Sequence, residues 1–110
     1  MIPNKLYRGM SDLELSCWIL SSIIPKNVNF SSCPRDATEM GKKHLLEGEL
    51  VIFEIDYEGL LFKATIPINE NFSGWYETVD AFDFDTLQSE IFTPGQAVRL
   101  YQELEKYTKY

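Results

Sequence analysis

The run ELVIFEIDY, residues 49–57, places apolar side chains on both of its faces: Val51, Phe53, Ile55 and Tyr57 on one, Leu50 and Ile52 on the other. A strand that is apolar on both sides is buried on both sides, so it is predicted to be central. KLYRGM (5–10) is a shorter strand, followed at once by Ser11-Asp12-Leu13-Glu14. That is the S-x-x-E capping box, in which the two side chains satisfy free backbone N–H groups reciprocally, with Met10 and Leu15 as its hydrophobic staple. Leu13, Cys17 and Leu20 then recur at helical spacing, predicting a helix over about Asp12–Ser21 that ends before Pro25. NVNFSS (27–32) is a second short strand.

Pro34 suits the first turn of a second helix, where its missing N–H is harmless. Ala37, Met40, His44 and Leu45 make the inner face of that helix, and Gly48 stops it. Glu58-Gly59 is a turn, after which LLFKATI (60–66) is expected to return as the hairpin partner of the central strand. Asn69–Gly74 is a polar loop carrying Phe72 toward Trp75 and Tyr76. AFDF and LQSEIF are further strands, the second closed by Pro94-Gly95. Ala97, Leu100, Tyr101 and Leu104 fit an amphipathic C-terminal helix. The expected class is α+β, a small and mostly antiparallel sheet flanked by about three helices, in one domain covering 1–110.

Composition narrows the functions. The chain has 110 residues and a net charge of −7, which argues against a large nucleic-acid footprint, since that needs clustered Lys and Arg. An acidic surface suits a basic protein partner instead, while one Arg still suffices to hold a small anion. Cys17 and Cys33 have no zinc spacing. Asp80, Asp83 and Asp85 lack the spacing of a metal loop, so no metal is expected. No stretch is long and apolar enough for a membrane span, and no signal peptide precedes the first strand. A reducing cytoplasm with free thiols is the expectation, with secretion lacking a cleaved signal left open.

Three polar groups recur at strand ends in the order Arg8 in LYRGM, Ser31 in NFSSC, and Gln88-x-Glu90 in LQSEIF. Gln88 and Glu90, two apart in a strand, project to one side. In this order the motifs resemble the ADP-ribosyltransferase superfamily, in its Arg-Ser-Glu branch with a Q-x-E strand. The resemblance implies a cleft that binds NAD as substrate, with Arg8 on a phosphate or ribose and Ser31 near the nicotinamide ribose. Tyr7 or Phe30 would stack on the base, and Trp75 is a further candidate. Glu90 would stabilise the oxocarbenium-like transition state, and Gln88 would hold the acceptor. It implies ADP-ribose transfer to a macromolecule, a protein above all. Gln88, where arginine-modifying members carry Glu, turns the expectation away from an arginine acceptor. A single cleft bringing Arg8, Ser31 and Glu90 together follows from this reading.

Other readings use the same residues. Arg8 can be a surface ion-pair partner, Ser31 or Ser32 a helix cap, and Gln88 with Glu90 the wet face of an edge strand. His44 is set aside as a helix-face residue, and Trp18 and Trp75 as packing. The alternative function is a small acidic protein-binding or inhibitor module without catalysis. A third gives the aromatic tail to oligomerisation.

Overall fold

The computed structural model describes residues 3–66, 74–99 and 102. Its elements are β1 (Lys5–Ser11), α1 (Asp12–Ser21), β2 (Ile23–Ile24), β3 (Asn29–Ser31), α2 (Pro34–His44), β4 (Leu50–Asp56), β5 (Phe62–Ile66), β6 (Trp75–Thr78), β7 (Phe82–Asp83) and β8 (Ser89–Phe92). Residues 94–99 form a third helix. The fold is α+β, with a six-stranded sheet in the order β5-β6-β3-β1-β4-β8 and a two-stranded sheet of β2 and β7. Every strand pairing is antiparallel. Phe72, Leu100, Tyr101 and Leu104 lie outside the described residues, and with them most of the predicted polar loop and tail.

The two-faced strand β4 is buried on both sides, as its pattern requires. Phe53 and Ile55 enter a core with Leu6, Met10, Leu15, Trp18, Ile24 and Phe30, whereas Ile52 packs with Tyr7, Ala37 and Ala97 on the opposite face. One face of the sheet therefore takes α1 and the other takes α2. LLFKATI does not return to β4: β5 pairs with β6, and β4 is already flanked by β1 and β8.

Two helix faces differ from their sequence reading. In α1 the buried residues are Leu15 and Trp18, while Leu13 and Leu20 are 50% and 87% exposed. The wide apolar surface of this helix leaves its inward side undecided, and the rings of Phe30 and Phe53 against Trp18 decide it. In α2 the buried residues are Pro34, Ala37, Thr38 and Gly41, not Met40, His44 and Leu45. Gly9 and Gly41 face each other with no side chain between them, so the small residues turn inward. A Cβ on Gly41 would stand 2.7 Å from the Gly9 backbone.

The capping box also departs from expectation. The Ser11 hydroxyl accepts from Leu13 N at 3.1 Å and donates to Glu47 O at 2.7 Å. Glu14 does not reach back to Ser11 but bonds Arg8. The loop after α2 thereby docks on the start of α1, where Asp12 N donates to Glu49 O and Glu49 N to the Asp12 carboxylate. Gly48 turns this loop at φ +79°, beyond the helix end at His44.

Candidate functional site

Alternation along β1 assigns its side chains to two faces. Leu6, Arg8 and Met10 lie on the α1 side, and Tyr7 and Gly9 on the α2 side. The register carries the second set across the sheet: Trp75 faces Ser31, Ser31 faces Tyr7, Tyr7 faces Glu54, and Glu54 faces Glu90. Tyr7, Ser31 and Glu90 therefore share one row, on the face opposite Arg8. The expected single cleft of Arg8, Ser31 and Glu90 does not form: Arg8 and Glu90 border different hollows and Ser31, fully buried, borders neither.

Between β1 and β3 the register holds one partner pair, Tyr7 with Ser31. Where the strands part, a hollow of about 410 Å³ opens, lined among others by Arg8, Asn29, Met40, His44, Ile66 and Trp75. A second hollow, also about 410 Å³, lies on the other side of Arg8 and includes Glu14, Leu46 and Glu47. Arg8, Gly9 and His44 border both. The backbone of Gly9 lets α2 come close here and brings His44, at the end of that helix, to the same rim as Arg8.

Arg8 is held on two sides. Its Nη1 donates to Asn29 O at 3.0 Å and its Nη2 to Glu14 Oε1 at 2.8 Å. Its Nε is buried and has no hydrogen-bond partner among the described residues. A buried donor without an acceptor carries a penalty of about 1–3 kcal/mol, so the arrangement is incomplete as it stands. The guanidinium borders two hollows while its Nε is shut from solvent, so an oxyanion accepts from Nε and a neighbouring N–H together only after the side chain turns.

The remaining expected site residues stand elsewhere. Ser31 is fully buried, and its hydroxyl accepts from Cys33 N at 3.0 Å, a local turn bond at the entry to α2. Cys33, not a serine, occupies the cap position of that helix, and burial pushes its thiol up from the usual range. Phe30 is fully buried among Trp18, Phe53 and Phe62; it is a core ring, not a wall of either hollow. Tyr7 is also buried. Burial first, and then the Glu54 carboxylate to which it hydrogen-bonds, raise its hydroxyl well above the ordinary phenol range, so it stays a donor at neutral pH.

Gln88 and Glu90 do meet in one space, a separate hollow of about 420 Å³ shared with Lys5, Glu54 and Asp85. Lys5 is raised from its usual value, mainly by its hydrogen bond to Asp56. Glu54 and Glu90 are direct cross-strand neighbours, and like charges in that relation destabilise a sheet. Glu90→Gln relieves this repulsion but gives up the attraction of Glu90 to Lys5, so stability is expected to change by roughly half a kcal/mol or less. Urea unfolding of the variant beside wild type reads this, and a larger change in either direction shows that one of the two interactions dominates.

Sequence reasoning passed over Glu54 and Asn29, gave Glu14 only a capping role, and set His44 aside as a helix-face residue. Glu54 offered a signal, a charge inside the apolar run VIFEI. Glu14 offered none, because its motif has a complete local explanation. Among the described residues no group of three or more His, Cys, Asp or Glu could hold a metal ion. No helix among them is long and apolar enough to cross a membrane.

What the fold and site define is an α+β chain with an arginine-bearing groove suited to an anion. No family model matches the chain, and no solved structure matches it. Among curated proteins it is similar to "Probable RNA 2'-phosphotransferase 2" of Archaeoglobus fulgidus, at 35% identity over 63 residues. The similarity covers 54% of this chain and 28% of that protein, so the chain spans little more than a quarter of its relative's length. This finding corrects the expected activity. ADP-ribose transfer to a protein acceptor is overturned, since the relative is named for a phosphate group on RNA.

Proposed function

We propose that this chain recognises a 2'-phosphate on RNA, with Arg8 as the residue that holds the phosphate, and acts in a phosphate-transfer reaction on it. The observation that carries the reading is the Arg8 guanidinium, bordering two hollows with its Nε lacking an acceptor among the described residues. The partial similarity to an RNA 2'-phosphotransferase supplies the class of anion. NAD, implied by the motif resemblance, is proposed as the nucleotide that shares the groove. Its pyrophosphate then competes with the RNA phosphate for the same guanidinium.

The net charge of −7 is compatible with this only if the contact is local. A protein gripping a nucleic-acid backbone neutralises many phosphates, whereas one held phosphate needs a single fork. Affinity for an oligoribonucleotide carrying one 2'-phosphate should therefore fall only shallowly with salt, with a log–log slope of about −1, near that of one or two single-strand phosphates. Wild type should prefer this oligonucleotide over its 2'-hydroxyl counterpart by about tenfold or more, as expected for a charge-assisted bond worth roughly 1.5–3 kcal/mol. Arg8→Ala should remove the preference while leaving the hydroxyl form unchanged. Fluorescence anisotropy measures both. Equal affinity of wild type for the two oligonucleotides overturns the reading and returns the weight to an acidic protein-binding module.

A further inference from the structure

We infer that the Arg8–Glu14 ion pair is a latch that holds the anion-binding arginine closed, and that a phosphate group binds by displacing Glu14. The inference rests on the reading of Arg8 as the phosphate-holding residue and adds the regulation of that residue. Three observations carry it. Arg8 is pinned between two elements, the Asn29 carbonyl of β3 and the Glu14 carboxylate of α1. In that position its Nε is shut away without an acceptor among the described residues, so the closed arrangement leaves one charged donor uncompensated for its lost water. Glu14 borders the second hollow but not the one lined by Trp75 and Asn29, so an anion entering on the Trp75 side approaches Arg8 away from its counter-ion.

The exchange is between two charged acceptors. A phosphate that accepts from Nε and one Nη in the two-bond geometry of a guanidinium fork satisfies the orphan donor. It does so at the expense of the bond to Glu14, whose negative charge also repels the incoming dianion. Both partners are partly open to solvent, with side chains 25% and 36% exposed, so the pair is weak enough for a ligand to break. Glu14 acts through Arg8 and is a positioning residue. Its place at the third position of α1, where the capping box would turn it toward Ser11, is explained by this second task.

The test uses inorganic phosphate on the full chain, followed by NMR at the Arg8 Nε–H signal, with wild type, Glu14→Gln and Glu14→Ala. Both variants should bind phosphate about two- to fivefold more tightly than wild type, the range that releasing an exposed ion pair allows. The Nε–H signal should gain protection from exchange when phosphate is added. A residue that merely props Arg8 in place would give weaker binding on removal, so looser or unchanged binding in Glu14→Gln overturns the latch. If Glu14→Ala does not fold, Glu14→Gln decides alone. If the variants bind phosphate more tightly while wild type ignores the 2'-phosphate on RNA, the latch stands and the proposed function fails. If wild type prefers the phosphorylated RNA but the variants bind phosphate no better, the function stands and the latch fails. Absence of phosphate binding in all three proteins overturns the latch.

Discussion

Gly41→Ala is expected to destabilise the protein by about 2 kcal/mol or more, although alanine is the better helix former. Alanine gains up to about 1 kcal/mol over glycine inside a helix. Against this stands a methyl carbon at 2.7 Å from Gly9 Cα and C, and 2.9 Å from Gly9 O. These are backbone atoms of β1, a strand hydrogen-bonded to both β3 and β4, so they cannot swing away as a flexible side chain would. Helix α2 must retreat from the sheet, which loosens Ala37 and Ile52 behind it. Overpacking of this kind costs about 1–3 kcal/mol and more where the neighbours are rigid. The melting temperature should fall by roughly 10 °C. Gly95→Ala is the control, since among the described residues a Cβ there meets nothing closer than Thr93 at 4.0 Å, and its melting temperature should not fall. An unchanged melting temperature for Gly41→Ala would mean that the helix is not pressed against β1.

Phe30→Ala should cost more, about 3–5 kcal/mol, the range for emptying a buried aromatic site. The ring is fully buried and lies 5.5 Å from Phe62 and 6.4 Å from both Trp18 and Phe53, centroid to centroid. Its removal takes one partner from each of three aromatic contacts at once. Small domains hold only about 5–15 kcal/mol in total, so the variant should be partly unfolded at moderate temperature. The contrast with Trp75→Ala separates packing from binding. Trp75 is half-buried on the wall of the Arg8 hollow, so its loss should weaken ligand binding with a smaller change in stability. Near-wild-type urea unfolding of Phe30→Ala would return that ring to the list of ligand contacts.

The elements themselves were legible in the sequence because each is a local pattern. α1 occupies Asp12–Ser21 as predicted, since its start is marked by Ser11 and its end by the approach of Pro25. The two-faced pattern of residues 50–57 identified β4 as a strand buried on both faces, though it lies next to the sheet edge and not at its centre, and Pro34 marked the start of α2. The candidate site was legible only in part. Arg8, expected at a strand end, stands in the middle of β1 and borders two hollows, while Gln88 and Glu90 share a third. Their membership in one cleft was not decidable from order along the chain.

Tertiary structure decided which side each element presents and which groups meet. Leu13 and Leu20 repeat at helical spacing as well as Leu15 and Trp18 do, and only the ring cluster of Phe30 and Phe53 selects the second pair. Met40 is more apolar than Gly41, yet Gly41 turns inward because contact with Gly9 depends on having no side chain. Glu14 leaves its local partner Ser11 for Arg8, and the β1–β4–β8 register sends Glu90 to the face opposite that arginine. Periodicity reports how a backbone repeats over a few residues, so the sequence by itself determined the kinds and places of the elements. Inward faces, strand partners and the surroundings of Arg8 depend on excluded volume and pairing between residues far apart in the chain, which no local repeat encodes.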